Sequence, residues 1–287
     1  MNPKLFAALQ YLTPQHALSR AAGWLANTEL KWIKDPFTRW FVEKYGVDMQ
    51  EAKESDCTAY RTFNEFFTRE LVDGARPIVE GQHTLASPAD GAISQLGQIH
   101  NGRIFQAKGH DYSLVELVGG DPKVAAQFND GHFATVYLSP KDYHRVHMPM
   151  AGTLRSMTYV PGQLFSVNTV TAENVPRLFA RNERLVCVFD TEAGPMAMIL
   201  VGAMIVAGIE TVWAGQVAPI QRKVISTDYL DKAPIHLEKG EEMGRFKLGS
   251  TVIMLFGADQ VSWLDQLEAE SPVRMGEHFG NLLSGKD

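Results

Sequence analysis

From about residue 84 onward the apolar residues come in short runs bounded by Gly, Pro, Asn or Asp. Runs at 133–138, 185–189, 196–201, 204–209 and 251–256 have strand length. Turn formers separate them, as at Glu192-Ala193-Gly194-Pro195 and near Gly215. Short connections of this kind suit antiparallel pairing, because a parallel crossover needs a dozen residues or more. Helical candidates in this part are few, at 112–118 and 176–180. The first 80 residues read differently. Apolar side chains recur at helical spacing in Leu5, Leu9 and Leu12, and again in Ile33, Phe37, Trp40 and Phe41. Asp35-Pro36 predicts a helix start, with Asp35 as N-cap and proline in the first turn. Thr62 and Glu65 have capping-box spacing, and Phe63, Phe66 and Phe67 share one helix face. The expected fold class is α+β: a helical region over 1–80, then a mostly antiparallel β-rich domain over 81–287.

Charge and cysteine content narrow the function classes. A net charge of -6 and a pI of about 5.9 argue against a nucleic-acid partner. Cys57 and Cys187 lie far apart with no metal-ligand spacing, so they read as ordinary thiols in a reducing compartment. No run of about 18 apolar residues predicts a spanning helix, and the N-terminus lacks a signal-peptide pattern, so export is not expected. Residues 1–45 nevertheless carry six basic side chains (Lys4, Arg20, Lys31, Lys34, Arg39, Lys44) against three acids. Trp24, Trp32 and Trp40, three of the five tryptophans, fall in the same stretch. Such helices either lie in a membrane interface or pack on their own domain.

Four segments contain chemistry-bearing residues. In Ser87-Pro88-Ala89-Asp90-Gly91 the aspartate has the setting of a turn residue whose carboxylate bonds nearby amides, with a catalytic role as the rarer alternative. Tyr137 to Pro149 holds two histidines, His144 and His147, three residues apart. On a helical turn they would share a side; on a strand they would point to opposite faces. They suit acid–base work near neutral pH, and no third or fourth metal ligand accompanies them, so no metal is expected. Tyr159 to Asn168 mixes turn formers with small polar donors, as a surface loop or a head-group pocket would. The fourth segment, Gly244 to Phe256, contains Gly249-Ser250 just ahead of a strand. Ser250 there either merely begins that strand or attacks the carbonyl of the preceding glycine, given a base.

Read in order, these residues resemble the bacterial phosphatidylserine decarboxylases. The resemblance rests on the 60–67 helix, Pro88-Ala89-Asp90-Gly91, Asp142-Tyr143-His144-Arg145-Val146-His147, 174–184, Glu210-Thr211-Val212-Trp213-Ala214-Gly215 and Leu248-Gly249-Ser250-Thr251. It implies a proenzyme in which Asp90, His147 and Ser250 form a maturation triad: His147 as base, Asp90 as its orienter, Ser250 as nucleophile. Attack on the Gly249 carbonyl gives an ester. Elimination then leaves a dehydroalanine, and its hydrolysis releases ammonia and yields a pyruvoyl group at position 250. The products are a 1–249 chain and a 38-residue 250–287 chain, interleaved as a heterodimer, with further homodimerisation left open.

The resemblance further implies that this covalent pyruvoyl cofactor forms a Schiff base with phosphatidylserine. CO2 is then released and phosphatidylethanolamine formed, with no metal. His144 is the implied acid that reprotonates the carbanion, and Ser166 and Asn168 are candidate head-group contacts. The implied location is peripheral, on the cytoplasmic face of the cell membrane, held by the N-terminal helices. Three rival readings remain distinguishable. A non-catalytic membrane module would leave the chain uncut. A decarboxylase of a free amino acid would not need the N-terminal helices. A conventional serine hydrolase would keep Ser250 in an intact chain, but no Gly-x-Ser-x-Gly elbow surrounds it.

Overall fold

The computed structural model describes residues 9–11, 13–204, 208–218, 223–247 and 250–283. Its centre is one antiparallel sheet. Its strands run in the spatial order Ile225–Asp228, Gly152–Val160, Arg184–Thr191, Gly194–Gly202, Ser250–Phe256, His132–Leu138, Gly91–Gln98 and Pro272–Val273, and His236–Leu237 also pairs with Gly152–Val160. The expected runs at 133–138, 185–189, 196–201 and 251–256 all lie inside these strands.

The unbroken apolar run 252–256 within strand Ser250–Phe256 follows from burial on both sides. All seven residues are buried. Val252, Met254 and Phe256 enter one core, while Ile253 and Leu255 enter the other. Neighbouring strands obey the same alternation: Met196, Met198 and Leu200 face the first core, and Ala197, Ile199 and Val201 the second. The first core is closed by a four-stranded antiparallel sheet, Gly215–Ala218, Gly208–Thr211, Glu242–Lys247 and Arg145–His147, which contributes Val146, Ile209, Met243 and Phe246. The second is closed by short helices and the Arg103–Ala107/His110–Ser113 hairpin, through Ile104, Tyr112, Leu114, Leu117 and Phe179.

The helical part has its own small core. Helices Gln15–Ala26, Lys31–Tyr45 and Phe63–Phe67 gather Ala26, Phe41, Phe63, Phe66 and Phe67. Thr62 caps the last of these by accepting from the Glu65 amide at 3.1 Å, as the spacing predicted. Glu65 returns its carboxylate to the Arg61 amide, one residue before the cap.

Four local expectations shift. The helix expected to begin after Asp35 begins at Lys31 and carries Pro36 inside it. Tertiary contact overrides the proline signal: the buried Lys34 ammonium donates to the carbonyls of Thr58 and Tyr60 at 2.7 and 2.6 Å and pairs with Asp35. The 112–118 candidate splits into the end of strand His110–Ser113 and helix Leu114–Leu117, because Tyr112 is buried in the hairpin and Ser113 is the N-cap. The 176–180 candidate becomes Leu178–Arg181, and the 204–209 run becomes Gly208–Thr211, with 205–207 outside the described residues.

Residues 250–283 are woven through the rest of the chain. Ser250–Phe256 lies between two strands of the preceding sequence, Pro272–Val273 pairs with Gly91–Gln98, and His278–Leu282 pairs with Thr84–Ala86.

Candidate active site

Three of the four sequence segments converge through the backbone. The His147 amide donates to the Pro88 carbonyl at 2.8 Å, tying the Ser87–Gly91 turn to the histidine segment. The Phe246 amide donates to the His144 carbonyl at 3.0 Å, and Arg145 pairs with Arg245. Ser250 pairs with Leu138, the residue before Ser139. Gly91 is required at its position: a Cβ there would lie 2.1 Å from the Tyr137 carbonyl oxygen.

Asp90 is 6% exposed, and its carboxylate does not serve a local turn. It accepts from Arg76 Nε at 2.9 and 3.1 Å, from Arg76 Nη2 at 2.6 Å, and from the Met275 amide at 2.8 Å. Burial alone would lower the Arg76 pKa, but its bonds to Asp90 and Glu51 raise it. Glu51 accepts from Arg76 Nη2 at 2.7 Å and pairs with Arg274 at 3.1 Å. The Arg76 hydrogen bond holds the Glu51 carboxyl below its ordinary range.

His147 bonds elsewhere. Its Nδ1 is 2.8 Å from the Gly240 carbonyl oxygen and its Nε2 3.2 Å from the Tyr143 hydroxyl. A carbonyl only accepts, so Nδ1 carries the proton and Nε2 presents a lone pair. Burial pushes the Tyr143 hydroxyl up to about 12, so the phenol keeps its proton and donates to that lone pair. Burial also lowers the His147 pKa, against upward pulls from the Gly240 carbonyl, Glu242 and Asp90. The hydrogen bond by which Asp90 was expected to orient His147 is absent among the described contacts: the Gly240 carbonyl takes Nδ1, Arg76 and the Met275 amide take the carboxylate, and the Asp90 charge is the smallest of these upward pulls on the ring.

His144 precedes the strand Arg145–His147, so the two histidines do not share a helical turn. It is fully buried, with its ring 4.0 Å from the Phe67 ring centroid. Its Nδ1 faces the Asp142 carbonyl at 2.8 Å, which places the proton on Nδ1 and the lone pair on Nε2. That carbonyl is fixed by a tight turn in which the Asp142 carboxylate accepts from the Ser139 amide and hydroxyl, both at 2.7 Å. Burial pushes the His144 pKa down to about 3, so the ring is neutral at ordinary pH. His144 Nε2 and Ser250 Oγ are both buried without a hydrogen-bond partner among the described residues. Gly249, the other side of the expected cleavage site, lies outside the described residues.

A cavity of about 580 Å³ opens beside Asp90. Arg69, Arg76, Lys141 and Tyr143 help to line it, as do Val167 and Thr169. Ser166 and Asn168 alternate with those last two residues. Ser166 Oγ lies 2.6 Å from Thr171 Oγ1, and Asn168 N-caps helix Thr169–Asn174 through the Thr171 amide at 2.9 Å. Among the described residues no group of three or more His, Cys, Asp or Glu is arranged to hold a metal.

Sequence reasoning singled out Asp90, His144, His147 and Ser250 but missed Arg76, Arg69 and Tyr143. Tyr143 stood inside a quoted motif. Arg76 and Arg69 carried no signal, since their roles depend on chain folding that brings Arg76 to Asp90 and seats Arg69 in the wall of the cavity.

Comparison with known proteins places the chain in a family. A family model described as phosphatidylserine decarboxylase matches residues 63–281, and a second, described as PSD, matches residues 5–46. A phosphatidylserine decarboxylase proenzyme of Pseudomonas fluorescens strain Pf-5 is 64% identical over 282 residues, covering 98% of each chain. Proteins of the same name from Stutzerimonas stutzeri and Pseudomonas putida are 63% and 62% identical, covering 98% and 97% of this chain and 95% and 98% of their own. The matched region takes in Asp90, both histidines and Ser250 together with the sheet that carries them, and the chain belongs to the phosphatidylserine decarboxylase family.

Proposed function

We propose that this chain is a proenzyme that cuts itself between Gly249 and Ser250 and then decarboxylates phosphatidylserine at a membrane surface. The observation that carries the reading is the Ser250 hydroxyl, buried and without a hydrogen-bond partner among the described residues at the head of the central strand. A buried hydroxyl without a partner is costly, and it suits a group poised for a reaction rather than for packing. The same feature fits a pyruvoyl group at position 250: the residue is fully buried, and the main chain on its carboxyl side is fixed by pairing to both neighbouring strands.

In maturation, Ser250 Oγ attacks the Gly249 carbonyl while a histidine lone pair takes its proton. His147 fills that role in our reading. Its Nε2 lone pair is exchangeable from Tyr143, and Asp90 stabilises the charge that develops on the ring. The cut would not release the 250–287 segment, because its strands pair with residues on both sides of the sheet.

In decarboxylation, the pyruvoyl ketone supplies an electron sink for the bond to the departing CO2. This chain's residues bind, orient and move protons. The His144 Nε2 lone pair accepts a proton as the substrate's ammonium is deprotonated, and the substrate's anionic groups supply a field that favours the charged ring. The same nitrogen then returns the proton to the carbon that lost CO2. Ser166 and Asn168 are proposed to steady the head group at the cavity edge formed by Val167 and Thr169.

Peripheral attachment, to the cytoplasmic face in our reading, is assigned to the helical region, 1–80. Trp24, Trp32 and Trp40 are 70%, 76% and 51% exposed. Arg20, Lys31, Arg39 and Lys44 are exposed beside them, a pairing suited to an anionic interface. Among the described residues no helix is long and apolar enough to cross a membrane. The test is a turnover assay: the matured protein with phosphatidylserine vesicles should release CO2 and form phosphatidylethanolamine in equal amounts. Matured protein that leaves the lipid unchanged would overturn the substrate assignment.

A further inference from the structure

We propose that the buried Arg69, with Lys141 at the cavity mouth, forms a phosphodiester-binding site that anchors the lipid head group in the cavity beside Asp90. Arg69 is 4% exposed, yet its guanidinium makes one hydrogen bond among the described residues, from Nη2 to the Lys141 carbonyl at 3.2 Å. Its Nε is buried with no partner, and no carboxylate lies within ion-pair distance among the described residues. The other buried cations are satisfied. Arg184 donates to the carbonyls of Leu117, Asn182 and Glu116, Arg76 to Asp90 and Glu51, and Lys34 to two carbonyls and Asp35. A buried guanidinium with unfilled donors is costly unless an anion fills them during function.

The cavity supplies room for that anion and a second cation. Arg69 and Lys141 both line it, and Lys141 has no ion-pair partner among the described residues. Of the carboxylates that line the cavity, Asp90 and Glu51 are engaged by arginines, Asp142 by the Ser139 amide and hydroxyl, and Asp48 by the Gln50 amide, while Glu270 has no ion-pair partner among the described residues. Among the described residues, Arg69 and Lys141 are the cations of this wall that no carboxylate pairs, since Arg76 and Arg274 are held by Asp90 and Glu51. Arginine's planar fork suits phosphate oxygens.

The inference rests on the lipid reading above, and that reading selects the phosphodiester over the carboxylate. A guanidinium held on the carboxylate would stabilise the very charge that decarboxylation must remove. The phosphodiester keeps its charge throughout, so binding it orients the head group at no cost to the chemical step.

Two measurements test the site, and the first can fail separately from the activity. The first is calorimetry with inorganic phosphate on the Ser250→Ala protein, which needs no turnover. Saturable binding is expected, weakened about 10- to 100-fold by Arg69→Gln and partly restored by Arg69→Lys. Absence of binding to the parent protein, or binding unchanged in Arg69→Gln, would refute the site. The second is inhibition of wild-type turnover of a dispersed short-chain phosphatidylserine by inorganic phosphate, against chloride at equal ionic strength. Competitive inhibition is expected, with Arg69→Gln raising KM more than it lowers kcat. Phosphate that binds but does not compete with the lipid would make this a free-phosphate site and overturn the head-group assignment. Should Arg69→Gln fail to fold, the wild-type competition decides alone.

Discussion

The Arg76–Asp90 pair is the most heavily bonded ionic contact at the site, and breaking it has a calculable cost. The side chains are 6% and 9% exposed, and among the described residues Arg76 supplies every side-chain donor to the Asp90 carboxylate, leaving only the Met275 amide without it. Arg76→Gln strands a buried carboxylate, a change that costs about 3–5 kcal/mol. Glu51 is affected less, because it keeps Arg274 and is more exposed. Asp90→Asn in the same protein removes the stranded charge, so the double variant should recover part of the loss, with a coupling of about 2–3 kcal/mol. Urea unfolding followed by tryptophan fluorescence measures this. The Ser250→Ala background is used because an uncut chain refolds as one molecule. Additive single-variant effects, within about 0.5 kcal/mol, would refute the clamp.

Other consequences are open to direct measurement. His144→Ala should still cleave but decarboxylate at least about 100-fold more slowly, as expected for loss of a proton-transfer group; turnover at the wild-type rate would remove His144 from that role. Acid should destabilise the fold through the same residue. Its folded pKa is depressed from 6.5 to about 3, so the unfolded chain binds more protons in between, and stability present above about pH 6.5 is lost as pH falls. At about pH 5 this amounts to about 2 kcal/mol, and His144→Gln should flatten the pH dependence by that amount; an unchanged slope would show that His144 is not buried neutral. Replacing Trp24, Trp32 and Trp40 by alanine should reduce sedimentation with anionic vesicles by about tenfold or more while leaving cleavage intact; unchanged sedimentation would assign these side chains another task.

Much of the β architecture was legible because its strands obey one rule. In 251–256 every residue is apolar or Thr, which fits a strand covered on both faces, and the alternation of Val252, Met254 and Phe256 with Ile253 and Leu255 realises it. The Phe63–Phe67 helix was legible from a cap and a three-residue aromatic face. Pro36 misled because a local signal competed with Lys34, whose partners Thr58 and Tyr60 lie more than 20 residues away. The site divides in the same way. Asp90, His144, His147 and Ser250 stand in motifs, so they were named from sequence. What each one touches was hidden: Asp90 turns to Arg76 and to an amide 185 residues on, and both histidines fix their tautomers on backbone carbonyls. Carbonyl partners leave no trace in side-chain identity.

The central claim is that Ser250 is consumed in making the enzyme, and the intact mass of the denatured protein tests it most directly. Two chains are expected, residues 1–249 and a 38-residue remainder from 250 with a blocked, ketone-bearing first residue, while Ser250→Ala should give one chain near 31.9 kDa. A wild-type protein that stays whole, or a Ser250→Ala protein that is cut, would contradict the account.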